Sequence, residues 1–126
     1  ENLGEAPPSL SLELRTVRLT AENVPSLLEG ADVICEALDE AAAKAMLVNT
    51  VLEQLPEKYL VAASGMAGLG SANTIHTRRL TGRFYLCGDG VSDVADGIGL
   101  VAPRVALCAA HQAHMVLRIL SEHFEP

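Results

Sequence analysis

The 126-residue sequence has no apolar run approaching the ~20 residues that a membrane-spanning helix needs, and no charged-then-apolar leader. It therefore reads as soluble, unexported and cytoplasmic, with no membrane partner. Positive charge is scarce: nine Lys and Arg stand against sixteen Asp and Glu, a formal net charge of −7. A nucleic-acid backbone needs a basic stripe, so that class of partner is disfavoured. Paired cysteines are missing as well. Cys35, Cys87 and Cys108 are an odd, scattered set without a C-x-x-C, which argues against a disulfide framework and a zinc knuckle. Cys35 and Cys87 lie in strand-like apolar runs and Cys108 in a helix-like one, so all three are expected as buried small hydrophobes. The dinucleotide fingerprint G-x-G-x-x-G opening a helix is also absent.

What is present is an apolar share of 49%, enough for one domain with a real core. The opening "ENLGEAPPSL", with Gly4 and Pro7-Pro8, reads as a loop. In "LSLELRTVRL", Leu10, Leu12 and Leu14 share one parity while Val17 and Leu19 take the other, which predicts a strand broken near Arg15. Thr20 can cap a short helix whose Val24, Leu27 and Leu28 share a face, with Gly30 ending it.

"ADVICEAL" is expected as a buried parallel strand near 32–38. The helix formers of "EAAAKAMLVNTVLEQL" predict a helix near 40–55 that carries a stripe of Leu47, Val48, Val51, Leu52 and Leu55, stopped by Pro56. "YLVAAS" is the next buried strand, near 59–64, completing a right-handed strand–helix–strand crossover. "TIHTRRL" and "RFYLCG" then read as an antiparallel hairpin around Thr81-Gly82. After a loop of glycines and aspartates, Pro103 suits the first turn of a last helix near 103–121, with Val105, Cys108, Met115 and Ile119 on one face. The fold class is α/β: a partial Rossmann-like parallel sheet continuing into an antiparallel hairpin, with flanking helices.

Asp39 stands at the carboxyl end of a parallel strand, where open α/β sheets place their ligands. A carboxylate there can hold Mg²⁺ on a nucleotide's phosphates, and it can equally cap the helix that comes next. Glu36 lies three residues earlier, on the opposite side of the strand, where a buried carboxylate is costly unless paired. Lys44 could reach back toward phosphates from the helix, though an exposed helix lysine is the default. Asp89, Asp93 and Asp96 are spaced four and three apart, which is not the alternation of a calcium loop. His111 and His114 lie three apart on the last helix without an acidic or Cys partner, and read as surface histidines. Arg78 and Arg79 read as surface or interface residues. Gly65, Gly68 and Gly70 come after "YLVAAS" as G-x-x-G-x-G and lead into a strand rather than a helix. Without a helix N-terminus to face the anion, this loop fails as a phosphate cradle and reads as a bend.

Over "ADVICEALDEAAAKAMLVN" and "YLVAASGMAGLGSANTIHTRRL…FYLCGDGVSD…GLVAPRVALCAAHQAHMVLRIL" the chain resembles the ThiF family, in the branch usually described as thiamine biosynthesis protein ThiF, family 2. The likeness covers most of the chain from about Leu10 onward. These ubiquitin-activating-like enzymes adenylate the C-terminal glycine of a small sulfur-carrier protein, using Mg-ATP. The resemblance places the family's D-x-x-D-N pattern on Glu36 and Asp39, with Glu40 where Asn is usual. It implies Asp39 as the Mg-ATP and catalytic carboxylate, Glu36 and Lys44 as nucleotide-binding, and Gly88, Asp89, Gly90 and Asp93 in a loop near the carrier's tail. It also implies a homodimer. The carrier-accepting Cys and zinc-binding C-x-x-C pairs of many relatives are absent, so a covalent carrier step and zinc are not carried over. The family's G-x-G-G-x-G loop, first strand and first helix have no counterpart in residues 1–126, so the chain is expected to be the C-terminal part of a ThiF-like domain, inactive alone. The rival expectations are a non-catalytic domain that binds the carrier through "GDGVSDVADG" and, less favoured, a nicotinamide-dependent oxidoreductase.

Overall fold

Three short apolar runs become three parallel strands. In the computed structural model, residues 13–38, 40–66, 68–90 and 102–126 are described. The elements are α1 (Val24–Leu28), β1 (Val33–Cys35), α2 (Ala41–Gln54), β2 (Tyr59–Ala63), a 3₁₀ turn (Ala72–Thr74), β3 (His76–Thr81), β4 (Phe84–Gly88) and α3 (Ala102–Leu120). The sheet order is β1-β2-β4-β3. β1 pairs β2 in parallel, with Ile34 opposite Leu60, and β2 pairs β4 in parallel, with Val61 opposite Tyr85. β3 joins β4 antiparallel through the turn at Gly82-Arg83, with a register shift between Arg79 and Thr81. The second hairpin strand is therefore inserted beside β2, and β3 is left as the outer strand.

Period-two alternation sorts the side chains onto two faces. On one face, Val61, Ala63, Tyr85 and Cys87 pack against Cys108, Met115 and Ile119 of α3. On the other, Ile34 and Leu60 pack against Val24 of α1, Leu47 and Val51 of α2, and Leu55 at the C-cap of α2. Helices on both faces explain why the parallel strands read as continuous apolar runs. The Tyr85 hydroxyl donates to the Phe124 carbonyl at 2.5 Å, and Phe124 stacks on Tyr59 with ring centroids 5.4 Å apart. These contacts seat the tail beyond α3.

The structure departs from the sequence expectations in several places. Of the strand expected over 10–19, residues 13–19 are described and carry no strand, and Leu14 and Val17 are exposed. Alternation alone does not make a strand: an extended segment needs a neighbour to hydrogen-bond with, and the described residues offer it none. Thr20 opens the first turn, but α1 begins only at Val24, after Asn23. The Thr20 hydroxyl accepts from the Asn23 amide, and Asn23 Oδ1 accepts from the Thr20 amide. Cys35 is exposed, because β1 is an edge strand of the described sheet; Cys87 and Cys108 are buried as expected. Among the described residues, no helix is long and apolar enough to cross a membrane.

Candidate functional site

The carboxyl ends of β1, β2 and β4 meet along one edge of the sheet. Two polar networks hold that edge together. The first centres on Glu36, one residue past β1 and only 1% exposed. Its Oε1 accepts from the Leu38 amide at 2.7 Å and from Lys44 Nζ at 2.9 Å. Its Oε2 accepts from Lys44 Nζ at 3.2 Å and from the Ala63 amide at 3.3 Å. Lys44 Nζ also donates to the Ala63 carbonyl at 2.9 Å. From the other face, Gln112 Nε2 donates to the Glu36 carbonyl at 2.7 Å and the Val61 carbonyl at 3.3 Å. The buried carboxylate is thus fully partnered and ties β1, β2 and α2, while Gln112 brings in α3 through the Glu36 main chain. Lys44 is the more exposed member of this pair, its side chain 23% exposed against 1% for Glu36.

The second network is built on glycines. Gly65 and Gly88 have φ of +84° and +132°, a left-handed backbone that L side chains rarely adopt. A Cβ on Gly88 would overlap the Ser64 carbonyl, and one on Gly65 would overlap Asp89 and Gly90. The missing side chains let the exits of β2 and β4 touch backbone to backbone. The Ser64 amide donates to Cys87 O at 2.9 Å, the Asp89 amide to Gly65 O at 2.8 Å, and the Gly90 amide to Ser64 O at 3.2 Å. Arg104, from the first turns of α3, lies over this junction and pairs with Asp89 at 2.7 Å, the two side chains 6% and 8% exposed. Its Nη1 donates to the carbonyls of Gly70 and Ser71, each at 2.8 Å.

Of the residues expected to act, Glu36 and Lys44 are brought into contact with each other, and Gly88, Asp89 and Gly90 lie at the same sheet edge. Asp39 and Asp93 lie outside the described residues. Glu40 is the N-cap of α2 and makes no side-chain cap bond. "SGMAGLGSANT" is the exit of β2, running through the 3₁₀ turn into β3. Arg104 and Gln112 went unnoticed in the sequence. Their signal was spacing: they fall four residues before and after Cys108, on the buried stripe that continues to Met115 and Ile119.

A separate cleft of about 570 Å³ lies between β3 and α3, lined by Leu107, Met115 and three histidines, His76, His111 and His114. His111 is less exposed than a surface histidine, and its Nδ1 shares a 2.9 Å hydrogen bond with the Thr77 hydroxyl. Among the described residues, no cluster of three or more His, Cys, Asp or Glu side chains could hold a metal ion. Thiol chemistry has little support at the edge: although Cys35 is exposed at the residue level, partial burial of its thiol, and then the charge of Glu36, push that thiol above its ordinary value.

A family model, that of the ThiF family, matches residues 1–126. No curated protein and no solved structure matches the chain.

Proposed function

The chain belongs to the ThiF family, and from that membership we propose that it serves the adenylation of a small ubiquitin-like sulfur-carrier protein. At the family level these are ubiquitin-activating-like adenylyltransferases acting on sulfur carriers. The observation that carries the reading is the meeting of three parallel strand ends, at Glu36, Ser64-Gly65 and Gly88-Asp89, on one glycine-lined edge. Open parallel sheets bind nucleotides at that edge.

In this reading Asp39, three residues past Glu36 in the sequence, contributes a carboxylate ligand to Mg²⁺ on the phosphates of ATP. The bound Mg²⁺ supplies charge neutralisation for the triphosphate. The Glu36–Lys44 pair fixes the ends of β1 and β2 at the nucleotide edge. A carboxylate oxygen of the carrier's C-terminal glycine attacks the α-phosphorus. The bond from that phosphorus to the bridging oxygen breaks, giving carrier acyl-adenylate and pyrophosphate. Holding nucleophile and phosphorus in line supplies the rest of the acceleration. The Gly88–Gly90 segment, at the exit of β4, is the proposed approach for the carrier's tail. A thiamine-type pathway, a homodimer and a cytoplasmic setting belong to the same proposal, on the strength of the resemblance.

The test is direct. The whole protein is incubated with Mg-ATP and a ubiquitin-like carrier ending in Gly-Gly, and the carrier is weighed by mass spectrometry. A carrier bearing one AMP supports the reading. A carrier that binds tightly yet is never adenylated identifies a non-catalytic docking domain instead.

A further inference from the structure

We propose that Arg104 is a positioning residue for the carboxyl-edge site, one guanidinium holding the exits of β2 and β4 in a single relative placement. The inference rests on the nucleotide reading above. Three segments converge on this side chain. From the exit of β2 come the carbonyls of Gly70 and Ser71, each 2.8 Å from Nη1, and that of Gly65, 3.4 Å from Nη2. From the exit of β4 comes Asp89, 2.7 Å from Nη2. The third is α3 itself, which packs along the sheet through Cys108 and Met115. Asp89 and Arg104 are fifteen residues apart in sequence, so their ion pair also pins together the two ends of the chain linking β4 to α3.

The placement is unfavourable as a device for stability alone. Position 104 continues the buried stripe of Cys108, Gln112, Met115 and Ile119, and an apolar side chain there would avoid desolvating a charge. Arg104 is instead buried, and its Nε has no hydrogen-bond partner among the described residues. A rigid planar fork accounts for the choice: arginine bonds several acceptors in fixed directions, which a lysine ammonium on a flexible stem does not. What those directions fix is the placement of Gly70 and Ser71 relative to Asp89, beside the edge where nucleotide and carrier tail would meet.

The experiment is Arg104→Lys in the whole protein, with Arg104→Ala as a second variant. Lysine keeps a cation for Asp89 and gives up the fork to Gly70 and Ser71. In Arg104→Lys the amides of Thr74, Ile75 and Asp89 should exchange about tenfold faster with solvent, while those inside α2 and β2 keep their wild-type rates. Affinity for Mg-ATP, measured by calorimetry, should fall by about tenfold in the same protein. Arg104→Ala, where it folds, should be weaker than Arg104→Lys in both readouts. Unchanged exchange overturns the clamp, and faster exchange with unchanged Mg-ATP affinity overturns the positioning role. A wild type that gives no binding heat overturns the nucleotide reading and this role together. A wild type that binds, matched by Arg104→Lys, removes the role of Arg104 alone.

Discussion

Lys44 Nζ lies 2.9 Å from Glu36 Oε1 and 2.9 Å from the Ala63 carbonyl, so one ammonium joins α2 to the ends of both β1 and β2. Removing it leaves a carboxylate that is 1% exposed with no countercharge, held only by the Leu38 and Ala63 amides. Lys44→Met should lower unfolding free energy by about 3 kcal/mol, the scale of a buried pair broken on one side. Glu36→Gln should cost less, because an amide oxygen can still accept from the Leu38 amide. The double variant Glu36→Gln/Lys44→Met should be more stable than Lys44→Met alone. Urea denaturation of the four proteins in a double-mutant cycle measures this.

The junction of the β2 and β4 exits predicts a sharp contrast among glycines. A Cβ at Gly88 overlaps the backbone of Ser64 and also meets a φ of +132°, whereas one at Gly82 meets nothing within 4 Å. Gly88→Ala should therefore lose on the order of 4 kcal/mol, from overpacking and backbone strain together. Gly82→Ala should stay within about 0.5 kcal/mol of wild type, as a surface substitution does. Thermal melts of the two variants side by side check the difference.

The three thiols should separate by reactivity. Cys35 is exposed on the edge strand β1, while Cys87 and Cys108 are fully buried. A maleimide at pH 7.5 should label Cys35 in the native protein and the other two only after unfolding. Burial pushes the Cys108 thiol up to about 11 from an ordinary 9.0. Between those two values the unfolded chain releases a proton that the folded chain retains. The unfolded state then binds fewer protons, so stability falls as pH rises from about 9 to about 11. Cys108→Ala, although a cavity-forming change, should flatten that part of the pH profile in chemical denaturation.

How far the sequence could be read depended on where each signal came from. α2 was legible almost to the residue, as 40–55 against Ala41–Gln54, because Leu47, Val48, Val51 and Leu55 of the expected stripe face a core formed by Val24, Ile34 and Leu60, although Leu52 is exposed. The hairpin was legible from its two apolar runs, but not the place of β4 beside β2, since strand order depends on pairing across the sheet. Residues 13–19 misled for the same reason: their alternation carried no information about a partner. Glu36 was legible as costly unless paired, but Lys44 lies eight positions further along the chain, and only the crossover geometry brings them together. Arg104 and Gln112 escaped because polar residues on an apolar stripe look like its polar margin until the packing is known. The glycines of "SGMAGLGSANT" were legible as a bend because no α-helix opens on them, only a 3₁₀ turn leading into β3, and the positive φ values of Gly65 and Gly68 agree.

In the proposed function the carboxyl edge of the sheet handles Mg-ATP for carrier adenylation, with Asp39 as a ligand to Mg²⁺. The most direct test is exchange of labelled pyrophosphate into ATP by the whole protein, with a carrier ending in Gly-Gly, comparing wild type with Asp39→Ala. The expected result is carrier-dependent exchange by wild type and a loss of about a hundredfold or more in the variant, the scale of removing one main electrostatic contribution to the transition state. Equal exchange by the two proteins would contradict it.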